Sequence, residues 1–338
     1  MRKWFPALMV LSLLSLFLGV YVGSVHVSAG DVSGSIAYGI KSALARFLPS
    51  INPGEQPKYY VIVWELRLPR VLLAYLVGVA LGSAGVASQA LFKNPLADPY
   101  IIGISAGAGV GGALGAIYWP EHMGLLALVF SLISVFAVYN VARVDGKIPV
   151  DTLLLAGIAY GFLASAITWY LIISRQDKAA VTWMWLMGTF NGSGWRDVAE
   201  MFGVTLLGLI FLLLKWRELN LLLLGEESIA LGLDLHLYRK LVIGVIAFLT
   251  AFAVATAGII GFIGLVSPHI MRLILGPNHR ELTPATALFG GSLLVIADLL
   301  ARTVASPTEL PVGIITAMMG APLFMYLLLK HKRGELTA

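Results

Sequence analysis

The sequence predicts an all-α, polytopic membrane protein with about ten transmembrane helices. Its 338 residues are 59% hydrophobic and only 12% charged, and the mean hydropathy is +0.88. Apolar runs of about twenty residues recur along the chain, and a helix of that length crosses the hydrocarbon core of a bilayer. Most of the 36 Gly residues lie inside these runs, where small side chains allow helices to pack closely.

The ten predicted spans form a single transmembrane domain that covers residues 1–338. They lie at about residues 6–26, 69–91, 99–118, 122–141, 151–173, 197–215, 240–257, 259–276, 284–302 and 311–330. The first apolar run is longer than the core of a usual signal peptide, so we expect a retained first span. An even number of spans puts both termini on one side. Placing them in the cytoplasm puts 14 of the 23 Lys and Arg residues inside, as expected for a protein of the cell membrane.

Three connecting segments are longer than simple turns. Two lie on the predicted outer side, at about residues 27–68 and 174–196, and the second contains three Trp, which favour the membrane interface. The third is an inner loop at about residues 216–239 that includes the sequence LGEESIALGLD. Its mixture of charged and apolar residues indicates either a surface for a partner protein or a solvated connector.

Several functional classes have no support in the sequence. The chain has no G-x-x-x-x-G-K-[ST] phosphate loop, so an ATP-driven step would need another chain. It has no H-E-x-x-H motif and no Cys, which leaves no familiar metal or thiolate site. No basic run is interleaved with aromatic residues, so we expect no nucleic-acid partner despite the net charge of +5.

Three arginines lie at the predicted outer ends of the second and ninth spans. Arg67 and Arg70 are three residues apart in ELRLPRVLLAYLVG, so one helical face can present both, and Pro69 suits a first helical turn. Arg302 follows the ninth span. Guanidinium groups bind carboxylates with defined geometry, which predicts acidic residues on a partner. The alternative is that these arginines extend to lipid phosphates.

Two Pro-containing pairs interrupt the long apolar run that follows. Asn94-Pro95 and Asp98-Pro99 disfavour helix at the residue before each Pro, so they predict a tight inner turn and a new helix from near Pro99. Gly and Ser residues that recur up to Gly112 make that helix thin and easily packed.

These features resemble the FecCD family, the permease subunits of ATP-driven importers for vitamin B12, haem and iron-siderophore complexes. The resemblance covers nearly the whole chain and is weakest before about residue 60. After LRLPR, the family motifs occur in order as TLLLAGIAYG at 152–161, WLMGTF at 185–190, LGEESIALGLD at 224–234, GIIGFIGLVSPHIMRLILGPNHR at 258–280, ADLLAR at 297–302 and ELPVGIITAMMGAPLFMYLLL at 309–329.

The resemblance implies a type II ABC importer permease fold and a non-catalytic subunit without a cofactor of its own. Such a permease forms a homodimer, joined inside by two ATP-binding cassette subunits that bind ATP and Mg, and outside by a substrate-binding protein. It implies that Arg67, Arg70 and Arg302 dock acidic residues of that protein. The cargo stays open among vitamin B12, haem, ferric siderophores and oxyanions such as molybdate.

The resemblance also assigns three further sets of residues. The inner gate is formed by Asn94, Pro95, Leu96, Ile148, Pro149 and Val150. The translocation path follows the fifth span, where helix packing alone would also explain the small residues Gly157, Gly161, Ala164 and Ser165. Coupling to the ATPase is assigned to Gly225, Glu226, Glu227, Ile229, Ala230, Leu231 and Gly232.

Ionisable residues inside the predicted spans leave other functions open. The sequence SPHIMR puts Pro268, His269 and Arg272 in one span, where such groups are candidates for function. A lone His lacks the companion ligands of a metal site, so a helix kinked at Pro268 is the favoured interpretation. An ion-gradient-driven secondary transporter with Asp298, His269 and Arg272 as a relay is an alternative, and an intramembrane enzyme using the same groups is another.

Overall fold

The computed structural model describes residues 4–23, 25–48, 50–144 and 146–332, without the side chains of 327, 328 and 330–332. Within these ranges the regular elements are helices, apart from one isolated bridge between Val144 and Lys147. The α-helices are α1 (Trp4–Tyr21), α2 (Ala29–Ala45), α3 (Leu68–Phe92), α4 (Ile104–Tyr118), α5 (Met123–Ala142), α6 (Val150–Ser174), α7 (Ala179–Leu186), α8 (Trp195–Leu214), α9 (Trp216–Leu222), α10 (Glu227–Ala230), α11 (Leu235–Ala257), α12 (Ile263–Leu275), α13 (His279–Thr303) and α14 (Val312–Lys332).

Ten of these helices correspond to the ten predicted spans, so the all-α, multi-pass fold class is confirmed. Seven are long and apolar enough to cross a membrane, namely α1, α3, α5, α6, α8, α11 and α13. Shorter apolar stretches form the other three spans, namely Ile104–Tyr118 of α4, Ile263–Leu275 of α12 and Val312–Tyr326 of α14. The remaining helices, α2, α7, α9 and α10, lie in the three long connecting segments.

Two spans begin with irregular backbone and are shorter than predicted. Helix α4 has 15 residues and follows a 3-10 turn that ends at Gly103, where φ is 86°. Helix α12 has 13 residues and follows Phe262, where φ is 68°. A left-handed residue cannot continue a right-handed helix, so each helix starts several residues later than the apolar run. Such backbone is tolerated at membrane depth where other parts of the protein cover it.

The two outer segments contact each other through tryptophans. Trp64 precedes α3 and Trp195 begins α8, and their ring centroids are 4.8 Å apart. The Trp195 Nε1 also donates a hydrogen bond to the Trp64 carbonyl at 3.1 Å. The aromatic residues therefore fasten the outer surface together in addition to any contact with the membrane interface.

Helix α3 is the centre of the bundle. Within the chain 83% of its span is buried, against 22% for α6. It packs on α8, α11, α12 and α13. A β-carbon added at Gly85 would overlap the carbonyl oxygen of Gly264 on α12, and one at Gly78 would overlap that of Gly290 on α13. The helices approach this closely because only hydrogen separates their backbones.

We expect Gly85→Ala to destabilise the folded permease by about 1–3 kcal/mol, because the added methyl group must push α12 away from α3. The measurement is the melting temperature of the detergent-solubilised protein, followed by size-exclusion chromatography after heating. Gly244→Ala on α11 is the matched control, since its added β-carbon meets no atom within 4 Å in the chain. A melting temperature for Gly85→Ala equal to that of the control would contradict the packing argument.

Candidate functional site

A buried carboxylate organises the predicted outer end of the bundle. Asp298 on α13 is 1% exposed. Arg70 on α3 donates from Nη2 to its Oδ1 at 2.9 Å, and the Arg302 Nε lies 3.1 Å from its Oδ2. Glu309 extends the cluster towards solvent, because its carboxylate accepts a hydrogen bond from the Arg70 Nη1 at 2.8 Å. Two carboxylates thus balance two guanidinium groups, which reduces the free-energy cost of burying the charges.

Arg67 and Arg302 also stabilise the end of α1. Arg67 donates from Nη1 to the carbonyls of Val20 and Tyr21 at 3.2 and 3.1 Å. Arg302 donates from Nη2 to the carbonyl of Gly19 at 3.0 Å. The last carbonyls of a helix find no N–H donor within it, and here the arginine side chains donate to them.

The three predicted docking arginines are therefore close together but mostly buried. Arg67 and Arg302 are each 7% exposed, and the Arg70 side chain is 12% exposed. The sequence did not predict that Arg70 and Arg302 share Asp298 as a partner, although the position of Asp298 four residues before Arg302 is a spacing that favours ion pairs on a helix. A docking role for these arginines stays a prediction.

A cavity of about 340 Å³ lies beside this cluster on the predicted outer side. Its lining includes Arg67, Arg70, Arg302, Glu309 and the loop 190–193. The side chain of Glu309 is 42% exposed, so it forms the accessible edge of the cluster. An acidic group of a partner that approached Arg70 would compete with this carboxylate.

A larger cavity, of about 480 Å³, lies between α4 and α6. Three of the four predicted path residues line it, namely Gly157, Gly161 and Ser165, whereas Ala164 is buried and lies outside the lining. None of the described lining residues is charged. A wall of small, apolar and weakly polar groups offers few ligands, so it suits passage better than tight binding.

Ser105 in this wall belongs to the sequence GISAG, which matches the G-x-S-x-G pattern of serine hydrolases. That pattern carries chemistry when a strand precedes the turn and a His base is close to the Ser. Here a 3-10 turn precedes α4, and the described lining of the cavity contains no His, Asp or Glu. The motif therefore lacks the surroundings of a nucleophile, and its small residues serve packing.

The predicted gate residues form compact turns at the inner ends of α3 and α6. Lys93 ends α3 with a left-handed φ of 49°, and the Asn94 Oδ1 accepts a hydrogen bond from the Leu96 N–H at 2.9 Å. Pro149 directly precedes α6, and Ile148 before it is 2% exposed. The remaining two gate residues are half-buried, and they are Pro95 and Val150.

The predicted coupling residues lie around α10, between the spans α8 and α11. Gly225 and Gly232 flank this short helix with φ of 64° and 85°, which Gly adopts without strain. Ile229 and Leu231 are 50% and 61% exposed, and Ala230 between them is exposed as well. Glu226 and Glu227 at the start of α10 are also exposed. An apolar patch within a polar segment indicates a contact surface for another protein.

A polar network fastens the segment before α10 to α11. The Lys215 Nζ and the Tyr238 hydroxyl donate to the same Glu218 oxygen at 3.1 and 3.0 Å. Burial would raise the pKa of Glu218, but hydrogen bonds from its own backbone, Lys215 and Tyr238 together lower it. The hydrogen bond to Glu218 in turn raises the pKa of Lys215. Both groups are therefore charged at neutral pH.

The residues of the alternative ion relay are far apart. Asp298 pairs with Arg70 near the outer end of α3, whereas the Arg272 Nη2 donates to the Gln89 Oε1 near its inner end, at 2.9 Å. Nineteen residues separate Arg70 from Gln89, or about 28 Å along a helix. The described residues also contain no cluster of three metal-ligating side chains. This geometry does not support a relay from Asp298 through His269 to Arg272.

Two curated relatives match most of the chain. It is 45% identical to the cobalamin import system permease protein of Halobacterium salinarum over 273 residues. That alignment covers 79% of this chain and 73% of the relative. It is 38% identical to the vitamin B12 import system permease protein of Escherichia coli over 338 residues. That alignment covers 98% of this chain and 96% of the relative.

A solved structure described as a metal-chelate type ABC transporter in an inward-facing conformation has the same fold. The two chains superpose with a TM-score of 0.84 at 31% sequence identity, over 98% of this chain and 100% of the other. The FecCD transport family matches residues 8–330, which include every site residue predicted from the sequence. The resemblance found in the sequence is thus confirmed, and the chain belongs to the FecCD transport family.

Proposed function

We propose that this chain is the permease subunit of an ATP-driven importer and that it carries cobalamin or a related metal chelate into the cytoplasm. The observation that carries the proposal is the exposed apolar patch Ile229–Leu231 on the inner connecting segment of a family member. A secondary transporter has no need of such a surface. Relatives named as cobalamin and vitamin B12 import permeases support this cargo class, and the uncharged cavity suits a bulky solute held in a chelate.

The energy source is a separate ATPase subunit, which binds ATP and Mg. The membrane helices carry the cargo path, and the patch on α10 is the contact through which ATPase closure reaches them. Two ATPase subunits serve two copies of the chain, because the sparsely buried α6 leaves a wall of the path for a second copy to complete. The connecting segment and both termini lie in the cytoplasm in this arrangement.

An external binding protein supplies the cargo on the opposite side. The cavity beside Asp298 presents three arginines and the accessible carboxylate of Glu309. Acidic residues of the binding protein dock there by competing with Glu309 for Arg70. The other donors of the cluster remain engaged in the permease itself.

The test of the proposed function is cobalamin uptake by proteoliposomes. We expect uptake to require the permease, its ATPase subunits, the binding protein and ATP together. Haem and a ferric siderophore, each with the corresponding candidate binding protein, test the neighbouring cargo classes. Uptake by the purified permease alone, driven by a pH or sodium gradient, would contradict the proposal and favour a secondary transporter.

We expect Ala230→Trp to uncouple ATP hydrolysis from uptake, because the larger ring prevents α10 from seating on the ATPase subunit. Uptake per ATP hydrolysed should fall about tenfold or more, as expected when a central contact of an interface is disrupted. Ala43→Trp is the control, because Ala43 is also exposed but lies on α2 on the outer side. Normal coupling in Ala230→Trp would count against the assignment of α10.

Docking at the outer cluster is tested best at its exposed edge. Replacing the three arginines by Ala would also unpair the buried Asp298, which is expected to destabilise the fold by about 3–5 kcal/mol. Glu309→Gln avoids this, since exposed ion pairs contribute about 0–1 kcal/mol. We expect it to strengthen binding-protein affinity several-fold at low salt and less at high salt, because the competing carboxylate is removed. Affinity unchanged at low salt, with an unchanged melting temperature, would refute docking at Arg70.

A further inference from the structure

Arg239 lies between the α10 segment and one of the two gate turns. It is in the second turn of α11 and is 8% exposed. Its Nη1 donates to the carbonyl of Ile148 at 3.2 Å. Its Nη2 donates to the Glu226 Oε1 at 3.3 Å. One guanidinium group therefore touches both segments, which are 78 residues apart in the sequence.

Each of the two acceptors lies one or two residues before a helix that the proposed function requires. Glu226 is the residue before α10, which carries the exposed patch. Ile148 precedes Pro149, and Pro149 is the residue before α6, whose small residues line the larger cavity. The two hydrogen bonds of Arg239 would therefore transmit a displacement of α10 to the first residues of α6.

A contribution to folding stability alone does not explain the contacts of Arg239. The Glu226 side chain is 72% exposed, and ion pairs with so much solvent contribute little to folding free energy. Arg239 itself is desolvated, which opposes folding unless its donors are satisfied. The planar guanidinium has donors on two sides with fixed angles, so it can hold two acceptors at a defined separation. That geometry is characteristic of a rigid connection.

The second gate turn also contacts the α10 segment. The side chain of Lys93, at the end of α3, fills the space that a side chain at position 225 would need. Gly225 can therefore not be replaced without displacing Lys93, which directly precedes the gate residue Asn94. Both turns at the inner ends of the path thus rest on one short segment.

We propose that Arg239 is the positioning residue that transmits displacement of α10 to the gate turn before α6. The proposal rests on the proposed function and adds to it the connection between the ATPase contact and the gate. Arg239 touches neither cargo nor nucleotide in this role. It makes the α10 segment, the start of α11 and the start of α6 move as one unit.

The first experiment measures uptake and ATP hydrolysis by the complete reconstituted transporter. For Arg239→Gln we expect uptake per ATP hydrolysed to fall about tenfold, the effect of losing a charged hydrogen bond, while the ATPase subunits still co-purify. Arg239→Lys keeps the charge and donors and should recover part of the loss. Lys240→Gln, at the exposed neighbouring cation, should behave as the wild type. Wild-type coupling in Arg239→Gln would overturn the proposal.

The second experiment observes the connection directly. The chain contains no Cys, so Leu224→Cys and Lys147→Cys provide two exposed labelling positions, one on each segment. In a transporter that carries both labels on only one of its two copies, and is otherwise wild type, we expect one narrow spin-label distance that is the same with and without bound ATP. With Arg239→Gln added, the distance should shift or broaden when ATP binds. A distance that stays narrow and fixed in this variant would also overturn the proposal.

A folding defect in Arg239→Gln and a failure of the proposed function can each be distinguished from a failure of the proposal for Arg239. Glu226→Ala removes the exposed acceptor of the connection and leaves Arg239 bound to the Ile148 carbonyl, so it should remain folded and show a smaller loss of coupling if Arg239→Gln cannot be purified. Full coupling in Glu226→Ala would then contradict the proposal. If the wild-type transporter shows no ATP-dependent uptake, the proposed function is refuted. If the wild type and Arg239→Gln both couple uptake to ATP hydrolysis, only the proposed role of Arg239 is refuted.

Discussion

The close backbone contact of α3 with α12 and α13 is the constraint on which the rest of the structure depends. Lipid tails are as apolar as Leu, so helices in a membrane gain no hydrophobic free energy by associating and rely on close packing instead. Glycines at the crossings of α3 make that packing possible. The central position of α3 then brings Arg70 to Asp298 at one end and Gln89 to Arg272 at the other.

The same constraint divides the molecule into a tight and a loose half. Around α3 most side chains are buried within the chain, whereas α6 exposes most of its surface. Helix α6 lines the larger cavity together with α4. Low burial within the chain and the lining of the larger cavity therefore occur on the same helix.

Charged residues follow this division. At the outer end Arg70, Arg302 and Asp298 form a buried cluster that fixes α1, α3 and α13 to one another. At the inner end Arg239 joins short segments that are not spans. Buried charges need partners in either place. The outer cluster satisfies them between spans, and Arg239 satisfies its donors between two connecting segments.

The sequence alone determined the fold class, the number of spans and the family, because apolar runs of about twenty residues and ordered motifs are local properties of the chain. It also located the exposed patch on α10, and three of the four path residues that it predicted line the larger cavity. Only the tertiary structure decided that Asp298 meets Arg70, 228 residues away, and that Arg239 meets Ile148. It also placed the starts of α4 and α12, which depend on left-handed residues at Gly103 and Phe262. Pairings of this kind depend on how the helices cross, and that is fixed by packing between distant segments, which no local pattern records.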